Sequence, residues 1–202
     1  LLPPLVYRRM VLKKYHESLP GMLGRNLKAG GGEASAARAG MDTRTTAWLH
    51  AVSVGEVVAA GAVLEHLARE KPAWRFLAST VTETGQKKAH QTLKAAAEIF
   101  YYPLDFSWIV RRFFDHYRPS VIIIHEPELW PNFLLEARSR RIPIFLANGK
   151  LSPRSARRYK QGRFLFARPL SAFSAFCMQT EAVAERLLRH GVPKAKIHVT
   201  GN

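Results

Sequence analysis

The chain has 202 residues, 47% of them hydrophobic, enough for one sizeable core. A single cysteine, Cys177, excludes an internal disulfide framework and suits a reducing compartment. Its 31 Lys and Arg residues against 15 Asp and Glu give a net charge of +16, which points to an anionic partner: nucleic acid, phospholipid headgroups or a phosphorylated substrate.

The opening "LLPPLV" is too short to span a bilayer, which takes ~20 apolar residues. The "YRRMVLKKYH" behind it reads either as a cytosolic flank following an upstream membrane anchor or as an amphipathic helix. From Asn26 to Thr46 the chain is rich in glycine and alanine with little to bury, the composition of a linker. Residues 1–46 are therefore expected to be a basic arm and linker, and residues 47–202 the folded body.

In the body, strand-like and helix-like segments alternate. Ala47 to Ala51 is an expected strand, followed by a helix over Glu56 to Glu70 with Val57, Leu64 and Leu67 at helical spacing. Arg75 to Ser79 is the second strand, and "TETGQKKAHQTLKAA" the second helix. Glu98 to Tyr102 is the third strand, leading into an aromatic helix over Asp105 to Tyr117. The unbroken apolar run Ser120 to His125 signals a central strand buried on both faces. Pro131 opens the next helix, as proline does at a first helical position. Ile142 to Asn148 is strand five, "SPRSARRYKQGRFLFA" a basic helix, "AFCMQ" strand six, "TEAVAERLLRHG" a helix closed by Gly191, and "KIHVTG" strand seven. Seven strands alternating with helices make an α/β fold, a Rossmann-like parallel sheet with helices on both faces. The glycine-rich dinucleotide signature is absent after strand one, which removes the main support for NAD binding.

Ligands of such sheets sit beyond the carboxyl ends of the strands. One such end, "HAVSVGEV", places Glu56 where a strand hands over to a helix. Ser53-x-x-Glu56 is the spacing of a capping box, and Thr80-x-x-Glu83 repeats it one strand later. An ionised carboxylate at a helix start is equally suited to take a proton from a hydroxyl, so both roles stay open. "HEPELWPN" sets Glu126 and Glu128 on one side of an extended segment around Pro127, a pair that repels itself unless a cation, donor or proton lies between. Lys150, Arg154, Arg157, Arg158, Lys160, Arg163 and Arg168 form a basic stretch with no acid among them, a cationic face for phosphate or anionic lipid. His50 and His125 stand at strand ends without a second ligand at a metal spacing, so no metal site is expected.

Together, "HAVSVGE", "STVTETG", "YYPLD", "EPELWPN", "NGKLSPRS" and "VTGN" resemble, in order and spacing, the N-terminal half of bacterial 3-deoxy-D-manno-octulosonic acid (Kdo) transferases. The resemblance implies half of an inverting GT-B glycosyltransferase with no resident cofactor. The donor CMP-Kdo would bind mainly to a C-terminal domain beyond Asn202, and the acceptor, a phosphorylated lipid A precursor, would bind this half. It implies Glu56 as general base, Glu126 as stabiliser of the transition state and Glu128 as its support. Ser53, Gly55, Thr82, Thr84, Gly85, Asn148, Lys150, Ser152 and Arg154 would contact the acceptor. The location implied is the cytoplasmic face of the inner membrane, peripheral or anchored by an upstream segment, against anionic lipid.

Where the family commonly has "NARLS" this chain has "NGKLS", so Lys150 keeps a charge without the bidentate geometry of arginine. A family lysine that serves the transition state lies beyond "TGN", so this chain alone is not expected to turn over. The alternative from another class is a basic nucleic-acid-binding module without catalysis. It lacks any recognisable motif, and paired carboxylates beside the basic residues would repel phosphates, so no nucleic acid is expected.

Overall fold

The computed structural model describes residues 18–27, 44–127, 129–151 and 168–201. Its strands are β1 (Thr46–His50), β2 (Arg75–Thr80), β3 (Glu98–Tyr101), β4 (Val121–His125), β5 (Ile144–Gly149), β6 (Ala175–Met178) and β7 (Ile197–Val199). They form one parallel sheet in the order β3-β2-β1-β4-β5-β6-β7. A short α1 (Leu19–Met22) precedes it, and α2 (Val54–Glu70), α3 (Glu83–Thr92), α4 (Ser107–Tyr117), α5 (Pro131–Ser139) and α6 (Glu181–Leu188) connect the strands. Each expected strand forms, displaced by no more than two residues.

Alternation along the strands sorts the core into two layers. Ala47 and Leu49 of β1 and Phe76 and Ala78 of β2 face α2 and α3, meeting Val57, Ala60, Leu64, Ala89 and Leu93. Trp48, Leu77, Phe100, Ile122 and Ile124 point the other way, into a layer closed by α4, α5 and α6. Trp48 is the hub of that layer. Its ring meets Phe100 and Phe133 edge-on, each with centroids 5.1 Å apart, and its indole N–H donates to Ser79 Oγ at 2.7 Å. Burying each such large side chain stabilises the fold by roughly 1.5–3 kcal/mol.

Three differences from the sequence pattern have a physical reason. α3 ends at Thr92 rather than Ala96, because Ala97 N–H already bonds Phe76 O and begins the pairing of β3 with β2. α4 starts at Ser107 rather than Asp105, because the Asp105 carboxylate serves another helix, described below. Residues 18–27 fall within the segment assigned by composition to the arm and linker, yet they pack on the body. Met22 and Leu27 are buried, and Leu104 N–H bonds Met22 O at 3.0 Å. Most of the arm, the linker and the basic helix (residues 1–17, 28–43 and 152–167) lie outside the described residues. Among the described residues no helix is long and apolar enough to cross a membrane.

Candidate functional site

The chain leaves β1 toward β2 on one side, and β4 lies on the other, so a crevice opens between the carboxyl ends of β1 and β4. Glu56 follows β1 and Glu126 follows β4, so the two carboxylates stand at the ends of adjacent strands. The negative charge of Glu126 is felt at Glu56 and helps to raise its pKa.

Glu56 occupies the first turn of α2 and turns back toward the strand. Its Oε2 accepts from Val52 N–H at 2.8 Å and its Oε1 from the Ser53 hydroxyl at 2.8 Å. Ser53 makes no cap bond to the helix amides, so the capping box closes in one direction only. The amides that open α2 are left uncapped, Val54 and Gly55 are exposed, and nothing lies within 4 Å of where a Cβ on Gly55 would stand. Burial raises the Glu56 pKa above the ordinary carboxylate value; the bonds from Val52 and Ser53 pull it back and the Glu126 charge adds to the rise. A carboxylate offers about four lone-pair positions, so these partners leave acceptor capacity facing the crevice.

The loop after β2 braces this arrangement. Thr82 caps α3 by accepting from Gly85 N–H at 3.0 Å, and its hydroxyl also contacts Val52 O at 3.3 Å. Gly85 is buried, and a Cβ there would stand 2.8 Å from Thr82 Oγ1 and 3.0 Å from Val52 O. Gly85, buried, and Thr82, half-buried, thus hold the β1 loop. Thr84 is exposed, its hydroxyl 3.4 Å from Thr82 Oγ1.

Across the crevice, Glu126 and Asn148 both have left-handed backbones, with φ of 67° and 53°. Such a conformation costs a residue other than glycine roughly 1–2 kcal/mol and clusters at functional sites. Glu126 N–H bonds Ala147 O at 2.9 Å, its Oε1 pairs with Lys150 Nζ at 2.6 Å, and Asn148 Nδ2 stands 3.5 Å from the same oxygen. Asn148 Nδ2 also lies 3.1 Å from His125 Nε2, and Gln179 Nε2 donates to Asn148 Oδ1. His125 is 2% exposed. Burial lowers its pKa, Glu126 opposes that and Lys150 reinforces it. Gly149 packs so closely on β6 that a Cβ would stand 2.5 Å from Met178 Sδ and 3.0 Å from Cys177 O, which explains why this chain carries glycine in "NGKLS".

The end of β3 contributes a brace of its own. Asp105 accepts from Asn132 N–H at 3.1 Å and from Phe133 N–H at 2.8 Å, capping α5 from a neighbouring loop. Asn132 Nδ2 returns a bond to Asp105 O at 2.6 Å. Under these loops His50 stacks on Tyr102 with centroids 4.0 Å apart, and Tyr102 leads to Trp130 at 5.6 Å.

Of the residues expected to act, Ser53, Gly55 and Glu56 gather on the β1 side and Glu126, Asn148 and Lys150 on the β4 side of one crevice, with Thr82 and Gly85 behind them. Glu128, Ser152 and Arg154 lie outside the described residues. Asp105 and Gln179 were not expected: their partners come from other strands, and no local spacing announces such a bond. Among the described residues no group of three or more His, Cys, Asp or Glu stands close enough to hold a metal.

Comparison with known proteins identifies the family and the fold. The family described as "3-Deoxy-D-manno-octulosonic-acid transferase (kdotransferase)" matches residues 26–202. A 3-deoxy-D-manno-octulosonic acid transferase of Chlamydia pneumoniae is 34% identical over 202 residues, covering 100% of this chain and 44% of the relative. One from Haemophilus influenzae is 34% identical over 155 residues, covering 77% of this chain and 36% of the relative. The chain thus spans less than half the length of these relatives. Among solved structures, the UDP-GlcNAc 2-epimerase of Neisseria meningitidis bound to UDP-GlcNAc superposes with a TM-score of 0.58 at 14% identity. That match covers 78% of this chain and 47% of the epimerase, a likeness of fold that fits a Rossmann-like half of the GT-B kind.

Proposed function

Because the chain belongs to the Kdo transferase family, we propose that it forms the acceptor-side half of an inverting glycosyltransferase moving Kdo from CMP-Kdo to a lipid A precursor. Glu56 takes the proton of the attacking sugar hydroxyl as the new C–O bond forms and the bond to CMP breaks on the opposite face. Its raised pKa makes it a stronger base than an ordinary carboxylate once ionised. Glu126 lies across the crevice, where a negative group favours the oxocarbenium-like charge that develops on the donor sugar. Glu128 supports it. The donor's nucleotide is held mainly by a second domain, and the reaction needs no resident cofactor.

Acceptor phosphates and anionic lipid meet the cations of this half. Lys150 is paired with Glu126 but half exposed, and an anionic group of the acceptor competes for it. The open amides at the start of α2 and the bare Cα of Gly55 let a sugar hydroxyl approach Glu56 closely. Asn148, Thr84, Ser152 and Arg154 complete the acceptor contacts. Phe106 and Trp108, 53% and 62% exposed at the start of α4, suit a peripheral position on the cytoplasmic face of the inner membrane.

The placement of Glu56 and Glu126 at the ends of adjacent strands carries this reading. Its test is transfer from CMP-Kdo to lipid A precursor by the complete gene product. Glu56→Ala is expected to cost about 100- to 10,000-fold in rate. Near-normal transfer by that variant removes the general-base role.

A further inference from the structure

The ammonium of Lys150 stands 2.6 Å from Glu126 Oε1, close enough to neutralise that carboxylate. Glu126 favours a developing positive charge only while its own charge is uncompensated, so the pair as it stands quenches the group that the transferase reading needs. The two partners are held differently. Glu126 has a left-handed backbone whose N–H bonds Ala147 O at 2.9 Å, and its side chain is 25% exposed. Lys150 lies just beyond the end of β5 on a flexible stem, its side chain is 52% exposed, and it meets one carboxylate oxygen. A pair this exposed favours its closed state by no more than about 5-fold. Lys150 is therefore the partner that leaves when a second anion enters.

We propose that Lys150 is a switch worked by a phosphate monoester of the acceptor: in the empty crevice it neutralises Glu126, and a bound phosphate draws it off and frees the Glu126 charge. The class of anion follows from the partner it displaces. A carboxylate carries one negative charge, whereas a phosphate monoester carries up to about two and three strong acceptor oxygens. Lys150 thereby makes the acceptor's phosphate count in the rate of transfer as well as in binding. The effect on rate rests on the transferase reading; the competition between phosphate and Glu126 for one ammonium does not.

Titration of the full chain with inorganic phosphate, followed by the NMR amide shifts of residues 126 and 150, tests the competition. Lys150→Met is expected to weaken phosphate binding at this point about 10-fold. Glu126→Gln is expected to tighten it up to about 5-fold by releasing the ammonium. In the Lys150→Met background most of that gain is expected to vanish. Equal gains in both backgrounds are plain repulsion and overturn the proposal, as does undiminished binding by Lys150→Met. In the complete gene product, kcat on dephosphorylated lipid A precursor is expected up to about 5-fold below that on the phosphorylated form. Lys150→Met is expected to close this gap in kcat while raising KM for the phosphorylated form. An absent gap, or one that survives in Lys150→Met, overturns the switch. Phosphatidylglycerol vesicles that close the gap in the unaltered enzyme assign the anion to the membrane and overturn the acceptor's part. Competition in the binding titrations with a gene product that performs no transfer supports the Lys150 assignment and removes the transferase reading instead.

Discussion

Gly85 packs against the carbonyl of Val52 so closely that a Cβ would stand 3.0 Å from that oxygen, tighter than an ordinary contact. Val52 in turn presents its N–H to Glu56 Oε2 at 2.8 Å. Gly85→Ala would ordinarily favour a helix, but here it drives the β1 loop away from α3. The expected cost is about 1–3 kcal/mol in denaturant unfolding, together with a displaced Glu56 titration. A variant as stable as the parent shows that the loop yields without strain.

Neutralising Glu126 tests whether the two acids share the crevice. Burial is the main cause of the raised Glu56 pKa and the charge of Glu126 a further one, so Glu126→Gln is expected to lower it. The base is competent only when ionised, so the acid limb of kcat/KM should move to lower pH, and the Glu56 carboxyl titration followed by carbon-13 NMR should move with it. An unmoved titration separates the two carboxylates.

Asp105 caps a helix that its own loop does not enter. Asp105→Ala removes the acceptor of both Asn132 N–H and Phe133 N–H and is expected to cost about 1–2 kcal/mol, read by urea unfolding. Asp105→Asn keeps one acceptor oxygen and should lose less. Equal losses would show that charge, not hydrogen bonding, matters there.

Most of the architecture can be read along the chain because apolar runs such as "VIIIH" and turn residues such as Gly191 act locally. The site is half legible for the same reason. Ser53 and Glu56 lie one helical turn apart, so their contact is visible in the spacing, although not that the serine would donate to the carboxylate instead of capping. Asp105 bonding Asn132, or Gln179 bonding Asn148, depends on which strands end side by side, and spacing carries no record of that. The left-handed backbone of Glu126 is equally hidden, whereas Asn148 precedes Gly149, a pair that favours a turn and a left-handed asparagine.

His50 predicts an acid weakness. The ring is fully buried, and burial lowers its pKa from 6.5 to about 3, while the bond to the Ser79 carbonyl opposes the shift. Above 6.5 the ring is neutral in both folded and unfolded chains and nothing is lost. Between 6.5 and about 3 only the unfolded chain takes the proton, so stability falls as pH falls. His50→Asn should remove up to ~1.4 kcal/mol per pH unit of that decline. Unfolding free energies measured across this range check it; an unchanged slope would assign the weakness to other groups.

Glu56 and Glu126 are separated in the chain by the rest of α2 and by β2, α3, β3, α4 and β4, yet they stand at the ends of adjacent strands because β4 inserts between β1 and β5. A nascent chain that has emerged only as far as β3 therefore holds β1 as an unfinished margin, with its second hydrogen-bonding edge bare. Closing that long-range pairing is the slow kind of step in folding, so during refolding the acidic crevice should appear late, after the helices have gained their signal.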